Sequence, residues 1–362
     1  MDDEKTKFLT RSILFLLVGI LIFVVYLVFF VNIGEMMDKI EQANLLIYSL
    51  TFVAALLDVF FFALAWRYLM RALSVRVSIG KTYAFMWVSI FIDSIIPAES
   101  VSGEISRAYL MSKEPNAETG KVVVSLVIHR VIMVLITIAT LLVGALVLFI
   151  SNYPLTILVM YLIWLVTIVG VAFLSSIFVL CLKEKWMEKL VDLLLRIVVR
   201  IFRGRWRLEE LREKALVELR HFYDGLATLK NNLKHFIGPL VFSFVSWVFS
   251  VLVSILVFAA LGFSVNWVLM SIIVVVFSLS IMIKSVPIGV PAEVGLPELA
   301  MAILYTELGG PLGITTALAS AITILTRLVS FAFKFAVGFV ATQWVGLRTI
   351  MEGMKLGQKD KV

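Results

Sequence analysis

Between Val122 and Ile150 the chain runs for 29 residues in which only His129 and Arg130 are ionisable. About 20 apolar residues suffice to cross the hydrocarbon core of a bilayer, where a helix satisfies its own backbone groups. Such a stretch is a membrane helix. The runs Ser12–Val31, Leu45–Trp66, Leu155–Leu182, Phe236–Leu261 and Gly313–Val345 read the same way. The chain is 61% apolar and 16% charged, against about a quarter charged in soluble domains. Its runs far exceed the ~10-residue alternating strands of a membrane barrel. The fold class is therefore an all-α polytopic membrane protein, placed in the cell membrane. The first run lacks a small-residue cleavage site and is expected to remain as a span.

Two segments break the pattern. Ile95–Met111 reads IIPAESVSGEISRAYLM, and Ser285–Leu304 reads SVPIGVPAEVGLPELAMAIL. Pro97, Pro287, Pro291 and Pro297 remove backbone donors, and Gly103, Gly289 and Gly295 weaken a helix. These positions are the expected hinges of two broken segments, 82–112 and 267–305. In lipid, freed backbone groups survive only against protein or a wet cavity. Each segment carries Pro-Ala-Glu and a second glutamate five residues later: Glu99 with Glu104, and Glu293 with Glu298.

Loop charge sets orientation. Segment 67–81 holds Arg67, Arg71, Arg76 and Lys81 with no acid, segment 183–235 holds thirteen Lys or Arg, and the tail from 346 holds four. Loop 32–43 has Lys39 against Glu35, Asp38 and Glu41. Both termini are thus expected on the cytoplasmic side. Span parity then makes 82–121 enter and leave from inside and 267–305 from outside, as re-entrant loops or paired crossing helices. Residues 1–150 and 151–350 become two inverted-topology repeats, followed by a cytoplasmic tail, 351–362. The first repeat comprises spans 12–31 and 45–66, broken segment 82–112 and span 122–150. The second comprises span 155–182, basic segment 183–235, span 236–261, broken segment 267–305 and span 313–345. Discontinuous segments in corresponding halves point to a transporter site.

Ionisable residues at membrane depth are few: Asp58, Asp93, Arg130, Lys284, Arg327 and Lys334, His129 beside Arg130, and the four glutamates. An embedded charge usually faces a partner or a wet cavity. Arg130 and Arg327 follow their broken segments at similar spacing, and a guanidinium fork fits phosphate. Converging, they would grip a lipid phosphate, with Glu104 and Glu298 as counter-charges. Alternatively each arginine pairs with the glutamate of its own half and pins the broken segment. Glu99 and Glu293 either join the site or cap helix N-termini. His129 either handles protons or is a packing residue. Lys284 and Lys334 lie near span ends, where they can snorkel.

Segment 183–235 places Trp186, Leu190, Leu193, Leu194 and Ile197 at helical spacing, with Lys and Arg opposite. This suits a helix lying against anionic lipid head groups, or a basic linker helix packed on the bundle. The basic residues sit at membrane edges, so no nucleic-acid partner is expected. No phosphate loop, HExxH or GxSxG occurs, and three scattered histidines and a single cysteine, Cys181, make no metal site or intrachain disulfide. No cofactor is expected, and no enzymatic activity.

Gly103-Glu104-Ile105-Ser106-Arg107-Ala108-Tyr109-Leu110 resembles the G-E-x-x-R-A-Y-L motif of the flippase-like lysylphosphatidylglycerol synthase transmembrane region. That region occurs in the bacterial multiple peptide resistance factor and in stand-alone proteins. Pro291-Ala292-Glu293-Val294-Gly295-Leu296-Pro297-Glu298 is similar to the family's P-G-G-L-G-x-x-E, with Ala292-Glu293 in place of Gly-Gly. The resemblance implies Gly103, Glu104, Arg107, Pro291, Gly295 and Glu298 as site residues, with Arg130 and Arg327 at the embedded basic positions. It also implies movement of a lipid between leaflets; as a departure from the family, no aminoacyl-transferase domain follows by residue 362, so synthesis of aminoacylated lipid is not expected. The expected function is a flippase for a lipid with a phosphate-containing head group. The alternatives are a membrane-embedded lipid-modifying enzyme and a non-transporting partner of a lipid synthase or glycosyltransferase. The partners expected are the lipid itself, anionic head groups at 183–235, and a second copy or a lipid-synthesis enzyme.

Overall fold

The computed structural model describes residues 24–25, 27–29, 31–96, 101–114, 117–201, 208–230, 234–284 and 295–359. The expected span 12–31 therefore lies mostly outside the described residues, and Pro97, Glu99, Pro287, Gly289, Pro291 and Glu293 lie outside them altogether. In chain order the helices are α1 (Ile33–Glu41), α2 (Leu45–Ala72), α3 (Ile79–Ile95), α4 (Val101–Ser112), α5 (Thr119–Ile150), α6 (Ile157–Leu182) and α7 (Glu184–Ile201). Then come α8 (Leu208–Lys230), α9 (Lys234–Ala260), α10 (Trp267–Lys284), α11 (Leu296–Gly309), α12 (Thr316–Arg327) and α13 (Lys334–Lys359). A π-helical turn, Leu328–Phe333, joins the last two. Among the described residues, α2, α5, α6, α9 and the run Thr316–Gly346 are long and apolar enough to cross a membrane.

Local chemistry sets the helix starts. Asn44, Ser78, Thr156 and Thr315 each turn a side-chain oxygen onto backbone N–H groups of the first turn of α2, α3, α6 and α12, donors a helix cannot satisfy internally. The first part of broken segment 82–112 falls in the 17-residue helix α3.

Loop contacts define two ends of the bundle. At one, Lys81 at the foot of α3 pairs with Glu114 beyond α4 at 2.8 Å, so both feet of that hairpin meet. There, too, Glu218 of α8 accepts from the Gly120 N–H at 2.7 Å, and Leu219, Phe222 and Leu229 bury against Leu73 and Val124. The basic segment is thus two helices, with α8 packed on α5 and α7 packed on α8 and α6. Arg212 hydrogen-bonds Asp192 across the α7–α8 pair and holds that carboxyl below its ordinary range. At the other end the Asn44 N–H donates to the Ala260 carbonyl at 2.8 Å, Thr315 donates to Glu35 at 3.2 Å, and the Tyr153 hydroxyl donates to the Leu308 carbonyl at 2.5 Å.

Helix pairing is reciprocal. α2 packs along α9; α3 packs on α13, and α10 on α5. Each short helix, α4 or α11, packs between the helices that precede and follow it in the chain: α4 on α3 and α5, α11 on α10 and α12. Both outer crossings use a glycine where backbones come close, as membrane helix contacts do. A Cβ at Gly144 would stand 3.1 Å from Val275, and one at Gly338 would stand 2.7 Å from the Trp87 carbonyl. One apolar core surrounds α10 and α11, with Phe258, Ile272, Val276 and Tyr305. A second surrounds α3 and α4, with Trp66, Met86, Trp87 and Met111. The exposed face of α6 is apolar, including Ile157, Tyr161, Trp164 and Ile168, as suits a surface bathed in lipid.

Candidate functional site

A cavity of about 280 Å³ lies between the cores, walled by α2, α3, α4, α5, α9, α10 and α13. Its polar lining is unusual for such a hydrophobic chain: Asp58, Asp93, Glu104, Arg107, His129, Arg130, Lys334 and three serines and a threonine.

Arg107 is buried in the second core, with its guanidinium 5.4 Å from the Trp66 ring and 5.7 Å from that of Phe62. Aromatic faces stabilise a cation but leave its N–H groups unbonded. Its closest polar contacts are Met86 Sδ at 3.6 Å and Glu104 Oε1 at 4.0 Å, and its Nε has no hydrogen-bond partner. Arg130 stands 4.0 Å from the same oxygen, Glu104 Oε1. Charge-assisted hydrogen bonds close at about 2.7–2.9 Å. At 4.0 Å, Glu104 is a shared counter-charge to both arginines without occupying their donors. His129 adds a buried Nε2 with no partner, its ring 4.3 Å from that of Phe62. The arrangement sets two arginines around a single carboxylate that sits back from their donors.

Asp93 positions this cluster. It accepts from Ser102 Oγ at 2.7 Å and the Gly103 N–H at 2.5 Å, closing the N-terminus of α4. A Cβ at Gly103 would stand 2.2 Å from Asp93 Oδ2, so only glycine admits the cap. On the facing wall, Asp58 of α2 accepts from Lys334 of α13 at 2.5 Å and from Ser246 of α9 at 2.7 Å. Lys334 is thus held inside the bundle, with its side chain 17% exposed, rather than reaching outward from a span end.

Arg130 and Arg327 do not converge. Arg327 donates to Glu298 at 2.5 Å, both residues are 6% exposed, and neither lines the cavity. The other Glu298 oxygen accepts from the Gly295 N–H at 2.7 Å. Gly295 has φ +101°, a conformation that favours glycine, and Pro297 occupies the first turn of α11 where no donor is needed. Each half therefore pairs a glutamate with the next embedded arginine: tightly in the second, loosely and with Arg107 in the first.

Of the residues singled out from sequence, the structure brings Glu104, Arg107, His129 and Arg130 together at the cavity, with Gly103 at the start of α4. Gly295, Pro297, Glu298 and Arg327 form a separate joint. Asp58, Asp93 and Lys334 were visible as embedded charges, but nothing local in the sequence marked them as walls of one cavity.

The chain matches the lysylphosphatidylglycerol synthase TM region over residues 16–338. It is 23% identical over 327 residues to a UPF0104 membrane protein of Pyrococcus horikoshii, covering 89% of this chain and 93% of that one. A UPF0104 membrane protein of Methanothermobacter thermautotrophicus is 26% identical over 318 residues, covering 86% and 89%. One of Methanocaldococcus jannaschii is 22% identical over 341 residues, covering 92% and 94%. No solved structure matches the chain.

Proposed function

The chain belongs to the lysylphosphatidylglycerol synthase transmembrane-region family, and on that premise we propose that it moves a lipid with a phosphate-containing head group between leaflets. The observation that carries this reading is the cavity containing Arg107 and Arg130, with bond-competent donors and only a distant counter-ion. A phosphodiester would take those donors, which hydrocarbon cannot satisfy. Its acyl chains would remain in the bilayer.

The transport cycle in this reading rests on two inverted halves. The reciprocal pairing of α3 with α13 and of α10 with α5 about the central α2–α9 pair supports a pseudo-two-fold relation. So does the return of the α3–α4 hairpin to its own starting end. With 67–81 and 183–235 on the cytoplasmic side by their basic loops, α3–α4 enters from the cytoplasm and α10–α11 from outside. Rocking the halves would expose the cavity to each leaflet in turn. Arg327 and Glu298 pin the second hairpin rather than hold the lipid.

The test is leaflet exchange of fluorescent phospholipid in proteoliposomes. The wild type should exceed empty vesicles, and Arg130→Ala should return the rate to the empty-vesicle level. Equal rates for wild type and empty vesicles would reject transport.

A further inference from the structure

The cavity also carries information about the head group. Its lining, among the described residues, holds the carboxylates Asp58, Asp93 and Glu104, the cations Arg107, Arg130 and Lys334, and the imidazole of His129, counted as neutral. Three carboxylates face three cations, so by formal charge the empty site is balanced. Four of these six have fixed duties or geometry. Asp58 and Lys334 bond each other, Asp93 caps α4, and Arg107 is wedged between Phe62 and Trp66. Glu104 is the adjustable member. Its side chain is 28% exposed, and it reaches both arginines only at 4.0 Å.

Resting on the transport reading above, we propose that this cavity selects a net-neutral, zwitterionic phospholipid head group, one phosphodiester plus one ammonium, over a net-anionic one. The phosphodiester binds Arg107 and Arg130 and displaces Glu104 as their counter-ion. A carboxylate freed in a low-dielectric enclosure needs a new partner, and the ammonium of the same head group supplies it. The neutral site thus stays neutral when filled. A head group with a phosphodiester and no cation leaves one net negative charge and an unpaired Glu104. Size points the same way. About 280 Å³ lies near the lower edge of small-molecule sites, roughly 300–1,000 Å³, which suits a compact head group.

The experiment compares two phospholipids with identical acyl-linked fluorophores and intact head groups, one ethanolamine and one glycerol, in separate proteoliposomes. The wild type should move the ethanolamine lipid at least tenfold faster, a difference of about 1.4 kcal/mol. Glu104→Gln keeps the shape, makes the lining one charge positive, and should reverse the preference toward the glycerol lipid. Equal wild-type rates for the two, or a faster glycerol lipid, would overturn the selectivity while leaving transport standing. A correctly assembled Glu104→Gln protein with an unchanged preference would remove Glu104 from the account. Movement of neither lipid by the wild type would reject the transport reading itself, and this inference with it.

Discussion

Glu298 binds the Arg327 guanidinium through one carboxylate oxygen and the Gly295 backbone N–H through the other, inside a bundle where both residues are 6% exposed. One carboxylate therefore closes the N-terminus of α11 and ties it to the end of α12, next to the π-helical turn that begins at Leu328. Buried pairs of this kind cost most when halved, because the survivor keeps its charge without its partner.

Glu298→Gln or Arg327→Met alone should destabilise the protein by about 3–5 kcal/mol, whereas the double substitution should recover at least half of that loss. Denaturant unfolding in mixed micelles, followed by tryptophan fluorescence, gives the coupling. Additive single and double effects would mean that the pair is not a joint.

Asp58 and Lys334 are 276 positions apart in sequence and join α2 to α13 across the cavity. Asp58→Asn should lower both the stability and the lipid-translocation rate, and so should Lys334→Met. The charge reversal Asp58→Lys with Lys334→Asp should restore stability towards the wild type, since each side chain again meets an opposite charge. Thermal midpoints of the four proteins check this. A reversed pair no better than the worse single variant would show that surroundings, and not mutual attraction, hold these residues.

At Gly120 the backbones of α8 and α5 come close together. A Cβ there would stand 2.1 Å from the Glu218 carbonyl oxygen and 2.7 Å from the Phe222 nitrogen, both backbone atoms that cannot rotate away. Gly120→Val should therefore lift α8 from the bundle and expose the 208–230 region to protease, with the membrane helices intact. Limited trypsin digestion read by mass spectrometry distinguishes this from global unfolding. Unchanged digestion would contradict the packing.

Much of this arrangement was legible before the structure. The apolar runs predicted the long helices, because a helix at membrane depth is dictated by composition over ~20 residues. The embedded-charge count marked Glu104 and Arg130 as partners within one half, and the family motif, not spacing, added Arg107. What stayed hidden depends on contacts far apart in the chain. Nothing near Asp58 announces Lys334, and nothing near Asp93 shows that its carboxylate closes α4. Arg130 and Arg327 look equivalent in sequence. They differ because Gly295 and Glu298 bring a carboxylate directly onto Arg327, whereas Glu104 remains 4.0 Å from its arginines.

The central claim is that the lipid head group passes through the cavity between Glu104, Arg107 and Arg130. Ser250 lines that cavity from α9 and is partly accessible, and Cys181 is the chain's one cysteine. The most direct measurement uses Ser250→Cys in a Cys181→Ser background, reconstituted and treated with a cationic methanethiosulfonate reagent. The account predicts that modification, verified by mass, stops lipid movement, and that transported phospholipid slows the modification. Complete modification with an unchanged translocation rate would contradict it.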